Sequence, residues 1–230
     1  RIHLMPRRYD INRFHFGNSL VFEDEYYLVI QKPALLPVHP TVDNVKENLL
    51  MALRSHYKKD VFSIHRLDVE TTGLILFAKN EVAMNYYNNL FEKKRIQKFY
   101  KAVIKKNDTA EKLQPGQYQH WMVKSKRSPK IILNQEAENS VTIQLKILSM
   151  TDYKLQDAEL VDLELLTGKT HQIRAQLSHL GYPLLGDHLY GGRLFSGALE
   201  SSHFLLHAYR LEFVDQSGKQ CQFEKQPSWL

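Results

Sequence analysis

The run His65-Arg66-Leu67-Asp68-Val69-Glu70-Thr71-Thr72-Gly73-Leu74-Ile75-Leu76-Phe77-Ala78-Lys79 constrains this chain more than any other stretch. A carboxylate, Asp68, stands between an arginine and a Thr-Thr-Gly turn. An apolar segment of strand character, Leu74 to Ala78, follows at once. Turn-forming polar residues abutting a buried strand present a reactive group on a rigid edge. A lone aspartate here could equally be a turn residue or a helix cap. The functional meaning lies in the whole string.

Around this run the pattern is of many strands and few helices. Leu20 to Asp24 and Tyr26 to Gln31 read as strands about an acidic turn. Asn44 to Tyr57 reads as a helix with Val45, Leu49, Leu53 and Tyr57 on one face, opened by a capping box of Asn44 and Glu47. Glu81 to Lys94 predicts a second helix burying Ala83, Tyr87, Leu90 and Phe91. Lys98 to Lys105 alternates as a strand, with Tyr100 on one side and Phe99 on the other. Residues 107–140 read as irregular, polar and basic. Val141 to Leu148, Leu160 to Leu166 and Phe204 to Phe213 predict further strands. Thr170 is placed to cap a helix with Ile173, Leu177 and Leu180 as its buried stripe, ended by Gly181. Without a regular βαβ alternation, this order argues for an α+β fold with a mainly antiparallel sheet.

The 230 residues, 43% of them hydrophobic, suffice for a full core. No composition shift marks a boundary, so residues 1–230 are expected to form a single domain. A net charge of +6 and a pI near 9.2 favour a polyanionic partner, nucleic acid before membrane. One cysteine, Cys221, excludes an internal disulfide and a multi-thiolate zinc site. His65, His171 and His207 lack metal-ligand spacing, and no metal is expected. The apolar runs are far too short to span a membrane. The expected setting is cytoplasmic and the expected state a monomer.

The fifteen-residue string closely resembles the catalytic motif of the RluA-type pseudouridine synthases, an HRLD tetrad followed by Thr-Ser/Thr-Gly and an aliphatic strand. Two further segments carry the resemblance. Thr167-Gly168-Lys169-Thr170-His171-Gln172-Ile173-Arg174-Ala175-Gln176-Leu177, continuing to Leu185-Gly186-Asp187-His188-Leu189-Tyr190-Gly191, is similar to the family's second signature. Lys32-Pro33 with Val38-His39-Pro40 is similar to its N-terminal one. The match runs from about Leu20 to about Trp229, with the motifs in family order. It implies a central mixed, mainly antiparallel sheet with helices packed on it and a catalytic cleft across its middle. Some members carry a small N-terminal RNA-binding domain, and none is expected within this chain.

The resemblance also implies the chemistry. Converting uridine to pseudouridine breaks the N1–C1′ bond, turns the base and joins C5 to C1′, with no redox step and no cofactor. One carboxylate must act as nucleophile or base at the ribose. The family places Asp68 in that role, Arg174 as the cation that keeps it ionised, and Tyr100 against the target base. Arg66 would fill the gap left by a flipped nucleotide or grip its phosphate. His65 is counted with the substrate-binding residues, and Ile173 and Leu206 would wall the uracil in. Lys124, Lys126 and Arg127, with Lys130 nearby, form one basic cluster for RNA contact. Lys93 to Arg95 with Lys98 and Lys101 forms another. Lys169 and Thr72 depart from the commoner Arg and Ser.

The expected activity is site-specific isomerisation of uridine in rRNA or tRNA. Two other readings stand beside it. One is a non-catalytic RNA-binding or RNA-folding protein on the same scaffold, which would have no need of the Asp68, Tyr100 and Arg174 set. The other is a glycoside-type hydrolase using Asp68 and Glu70 as a carboxylate pair.

Overall fold

The structure, a computed structural model, describes residues 8–41, 44–107, 112–155, 157–192 and 203–230. In chain order its first elements are helix α1 (Phe16–Ser19), strands β1 (Leu20–Glu23) and β2 (Tyr27–Lys32), helix α2 (Leu49–Tyr57), and strands β3 (Phe62–Ser63) and β4 (Thr72–Ala78). Helix α3 (Glu81–Glu92) and strands β5 (Gln97–Lys105), β6 (Gly116–Val123), β7 (Ile132–Leu133), β8 (Ser140–Asp152) and β9 (Ala158–Leu165) follow. Helix α4 (Gln172–His179) and strands β10 (Leu206–Val214) and β11 (Gln220–Glu224) complete the order. Two compact units result. One joins Arg1–Ile96 to Ala208–Leu230, and the other is Gln97–His207. The first two residues of β10, Leu206 and His207, thus fall with the second unit.

In the first unit the strand order is β1-β2-β4-β10, with β3 paired to β4 and β11 to β10. β2 and β4 run antiparallel from Tyr27↔Ala78 to Lys32↔Gly73. Leu74, Leu76 and Ala78 on one face of β4 meet Ala83, Tyr87 and Leu90 of α3, together with Tyr27, Val29 and Phe213. Ile75 and Phe77 on the opposite face are buried as well. A strand covered on both sides reads as an unbroken apolar run, which is why this element is legible in the sequence. The side chain of Asn80 caps α3, accepting from Ala83 N at 2.8 Å.

α2 differs from its expectation. Asn44 and Glu47 do not open the helix. The Asn44 side chain accepts from Lys46 N (3.1 Å) and Glu47 N (2.9 Å) in a turn ahead of it. The true cap is Asn48, whose Oδ1 accepts from Met51 N at 3.0 Å. Val45 therefore lies outside the helix and is exposed, while Leu49 and Leu53 are buried. Both asparagines have a capping partner three residues on, and only the apolar stripe beginning at Leu49 tells them apart.

In the second unit the order is β5-β9-β8-β6-β7, with each neighbouring strand antiparallel to the next for which a register is given. The α+β class and the antiparallel sheet hold. β5 is buried on both faces. The 107–140 stretch is less irregular than its composition suggests, because it holds β6 and β7. Gly116, Tyr118, His120 and Met122 turn to the more buried side of β6, while Gln117 and Gln119 are exposed. That alternation is present in the sequence, disguised by Gly116 and His120 on its more buried side. α4 also begins differently. Its cap position is His171, in the left-handed region at φ 59°, with no side-chain capping bond, so Thr170 is not the cap.

Candidate active site

In the first unit the end of β2 and the start of β4 hold the Asp68 turn. Lys32 stands opposite Gly73, and its side chain is fully buried. Its Nζ donates to Pro33 O (2.8 Å), Leu36 O (2.8 Å) and Val69 O (2.9 Å). Three acceptors match the three N–H bonds of an ammonium. Burial pushes this amine down to about 7, against the pull of the Asp68 and Glu70 carboxylates. A buried cation thus tethers the Asp68–Glu70 turn. Its role is missed by sequence reasoning, although a lysine closing an apolar strand just before proline was an available signal.

Asp68 itself is half-buried. Its backbone carbonyl accepts from Thr71 N at 3.1 Å, closing the turn that leads into β4. Arg66 is exposed beside it. His65 is buried, and its Nε2 accepts from Leu76 N at 3.1 Å, while Ile64 N donates to Leu76 O at 3.1 Å. The histidine side chain therefore continues the ladder where the short β3 stops, a structural task. Its ring stacks with Phe91 at 6.1 Å. His39 joins the same region, 2.9 Å from Ser63 Oγ through Nε2. Burial and the nearby Arg66 and Arg54 lower its pKa.

Gly73 explains the Thr-Thr-Gly spacing. It has φ +111°, and a Cβ there would lie 2.2 Å from Ala208 O and 2.6 Å from Ala208 N. β4 and β10 can approach at this point only over a residue without a side chain.

The second unit holds the other expected residues. Tyr100, on β5 opposite Leu163, is buried, as are Ile173 and Leu206. Val103 N donates to Leu205 O (3.0 Å) and Leu185 N to Val103 O (2.8 Å), holding the end part of the second signature and the segment before β10 along β5. Arg174, on α4, is buried and forks onto Asp187, with Nε to Oδ2 at 2.6 Å and Nη2 to Oδ1 at 2.9 Å. Its guanidinium carbon lies 4.3 Å from the Phe204 ring centre and 5.1 Å from that of Tyr190. Asp187 and Phe204 are the neighbours of Arg174 that motif reading leaves without a role.

α4 is steadied by a polar chain. Gln172 Oε1 accepts from Thr167 Oγ1 (2.9 Å) and Lys169 N (3.1 Å), and Gln172 Nε2 donates to Gln176 Oε1 (3.0 Å). These bonds satisfy buried amides that would otherwise destabilise the helix.

The basic clusters come out unequally. Lys124, Lys126 and Arg127 are exposed on the β6–β7 loop. Lys130 is turned inward, donating from Nζ to Ser125 O (2.6 Å) and Arg127 O (3.0 Å), so it closes the loop. In the other cluster Lys98 is buried and Lys101 sits 3.5 Å from Asp162, leaving Lys93, Lys94 and Arg95 as its exposed members. Among the described residues no group of three or more His, Cys, Asp or Glu could hold a metal ion, and no helix is long and apolar enough to cross a membrane.

The family model described as RNA pseudouridylate synthase matches residues 26–179, spanning both Asp68 and Arg174. The chain belongs to the RNA pseudouridylate synthase family. A Bacillus subtilis protein named RNA pseudouridine synthase YhcT is 32% identical over 85% of this chain and 64% of its own length. The ribosomal large subunit pseudouridine synthase D of Zymomonas mobilis is 32% identical over 90% of this chain and 68% of that protein. The chain thus spans about two thirds of the length of such relatives. Among solved structures, human RNA pseudouridylate synthase domain containing 4 aligns over 92% of this chain and 90% of its own, with a TM-score of 0.69 at 23% identity. That likeness establishes a pseudouridine synthase fold, of the RluA type implied by the HRLD string.

Proposed function

We propose that this chain isomerises uridine to pseudouridine within structured RNA, residues 1–230 acting as one catalytic domain. The observation that carries the reading is Asp68. It is presented on a turn closed by Thr71 N and tethered from beneath by Lys32, in a chain of this family. Asp68 acts at the ribose of a flipped-out uridine, either as nucleophile at C1′ or as base toward the C2′ proton. The N1–C1′ bond breaks, the base turns, and C5 bonds to C1′ as the Asp68–C1′ bond breaks or, on the other route, as the C2′ proton is returned from Asp68. The C5 proton then leaves, and N1 gains one. Tyr100 packs against the base, Ile173 and Leu206 confine it, and Arg174 favours the ionised form of Asp68. Arg66 occupies the gap in the RNA or grips a phosphate, while Lys124, Lys126 and Arg127 hold the backbone. We assign His65 to support of the turn.

Ribosomal RNA is the first substrate to test, since a relative is named for the ribosomal large subunit. Transfer RNA is the second. A cytoplasmic monomer goes with this reading. The test is incubation with bulk RNA lacking the modification, followed by nucleoside analysis. Pseudouridine should accumulate without release of uracil, and Asp68→Asn should abolish it. Free uracil in the supernatant would instead mean hydrolysis.

A further inference from the structure

We propose that Tyr190 is a positioning residue, locking the basic β6–β7 loop to the start of the helix that carries Arg174. RNA phosphates held by the loop would thereby keep a fixed register to the arginine. This rests on the reading of the loop as an RNA contact and of Arg174 as part of the catalytic machinery.

The buried phenol of Tyr190 joins two segments distant in sequence. Its hydroxyl accepts from Lys130 N at 2.9 Å and is 3.1 Å from His171 Nδ1. The hydroxyl can accept from Lys130 N and still share a hydrogen bond with the histidine nitrogen, because it has both a proton and a second lone pair. Ser128 Oγ, also on the loop, lies 3.5 Å from the same Nδ1. A phenylalanine would fill the space and make neither of the two bonds of the hydroxyl.

The loop has the shape of a rigid handle. Lys124 N donates to Asn139 O (2.9 Å) and Val123 N to Ile131 O (3.0 Å), fixing its two ends. The Lys130 ammonium draws the carbonyls of Ser125 and Arg127 together. Lys124, Lys126 and Arg127 remain exposed to a phosphate backbone. The last part of this handle is what Tyr190 grips.

On the other side Tyr190 reaches Arg174 by three routes. Its ring centre is 5.1 Å from the guanidinium carbon. Its backbone N–H donates to Asp187 O at 3.1 Å, in the 3-10 turn whose first residue follows Asp187, the partner of Arg174. Its carbonyl accepts from Ser178 Oγ of α4 at 2.7 Å. His171, held by the phenol, accepts the first helical bond of α4 from Ala175 N, three residues before Arg174.

The test compares Tyr190→Phe, the triple variant Lys124→Ala/Lys126→Ala/Arg127→Ala, and their combination, on one defined RNA. Tyr118→Phe is the control, since that phenol bonds the backbone of Gln114, at the far end of β6. Tyr190→Phe should raise KM about five- to ten-fold, the effect of losing one or two neutral hydrogen bonds, and lower kcat by less than about two-fold. In the triple variant the same substitution should add nothing to KM, because the handle it holds no longer contacts phosphate. Tyr118→Phe should match the wild type. An unchanged KM in Tyr190→Phe, or an equal rise in the triple background, would overturn the coupling while leaving the loop as an RNA contact. A triple variant with wild-type KM would overturn the reading of the loop and the coupling with it.

Discussion

Arg174 and Asp187 meet as a buried, two-point ion pair, Nε to Oδ2 at 2.6 Å and Nη2 to Oδ1 at 2.9 Å. The Phe204 ring lies 4.3 Å from the guanidinium carbon and shields it from water. The cation proposed to act on Asp68 is therefore oriented before RNA arrives, which is how a charge stabilises a reaction without reorganising during it.

Asp187→Asn should leave that guanidinium buried beside a neutral amide. Breaking a buried pair from one side costs about 3–5 kcal/mol, and the urea unfolding midpoint should fall accordingly. Arg174→Lys keeps a charge and loses the fork, so turnover should drop by about ten-fold or more with a smaller loss of stability. Full turnover in the lysine variant would show that geometry at this position is unimportant.

Lys32 should leave a pH signature in stability. Its folded-state pKa, about 7, lies below the ordinary 10.5. Between those values the unfolded chain binds a proton that the folded chain does not, so stability contributed by this group rises with pH, by up to about 1.4 kcal/mol per unit. Below pH 7 both states are charged and the contribution is flat. Denaturation from pH 7 to 10 should show this rise in the wild type relative to Lys32→Met. Parallel curves for the two proteins would mean that the ammonium is not desolvated as the geometry implies.

Gly73→Ala should fail to fold properly. The added methyl would meet the Ala208 backbone at 2.2 Å, and φ +111° is strained for any side chain. The loss should exceed about 3 kcal/mol, at the severe end of single substitutions. A soluble variant with a wild-type melting curve would disprove the close approach of β4 and β10.

Replacing Lys124, Lys126 and Arg127 together by alanine should flatten the salt dependence of RNA binding. Each phosphate contact contributes about 0.7 to 0.9 to the log–log slope, so three change it by about two units. With saturating RNA the chemical step should change little. An unaltered slope would direct attention to Lys93, Lys94 and Arg95.

Elements buried on one or both faces were readable from the chain, because water exclusion writes itself into apolar runs and periodicities. β4, α3 and β5 follow Leu74 to Ala78, the Ala83–Tyr87–Leu90 stripe and the Lys98 to Lys105 segment in this way. β6 escaped notice because its more buried side carries Gly116 and His120 among its apolar residues, and the start of α2 moved because Asn44 and Asn48 offer the same local capping chemistry. Order along the chain was likewise enough to place the HRLD string and the second signature in one family. Tertiary structure alone decided which polar groups are partners. That Lys32 lies under Val69, that His65 completes a ladder at Leu76, and that Arg174 forks onto Asp187 all depend on distances between separate segments of the chain. Local propensity carries no record of such distances. They are set by strand register and by the need of each buried polar atom for a partner.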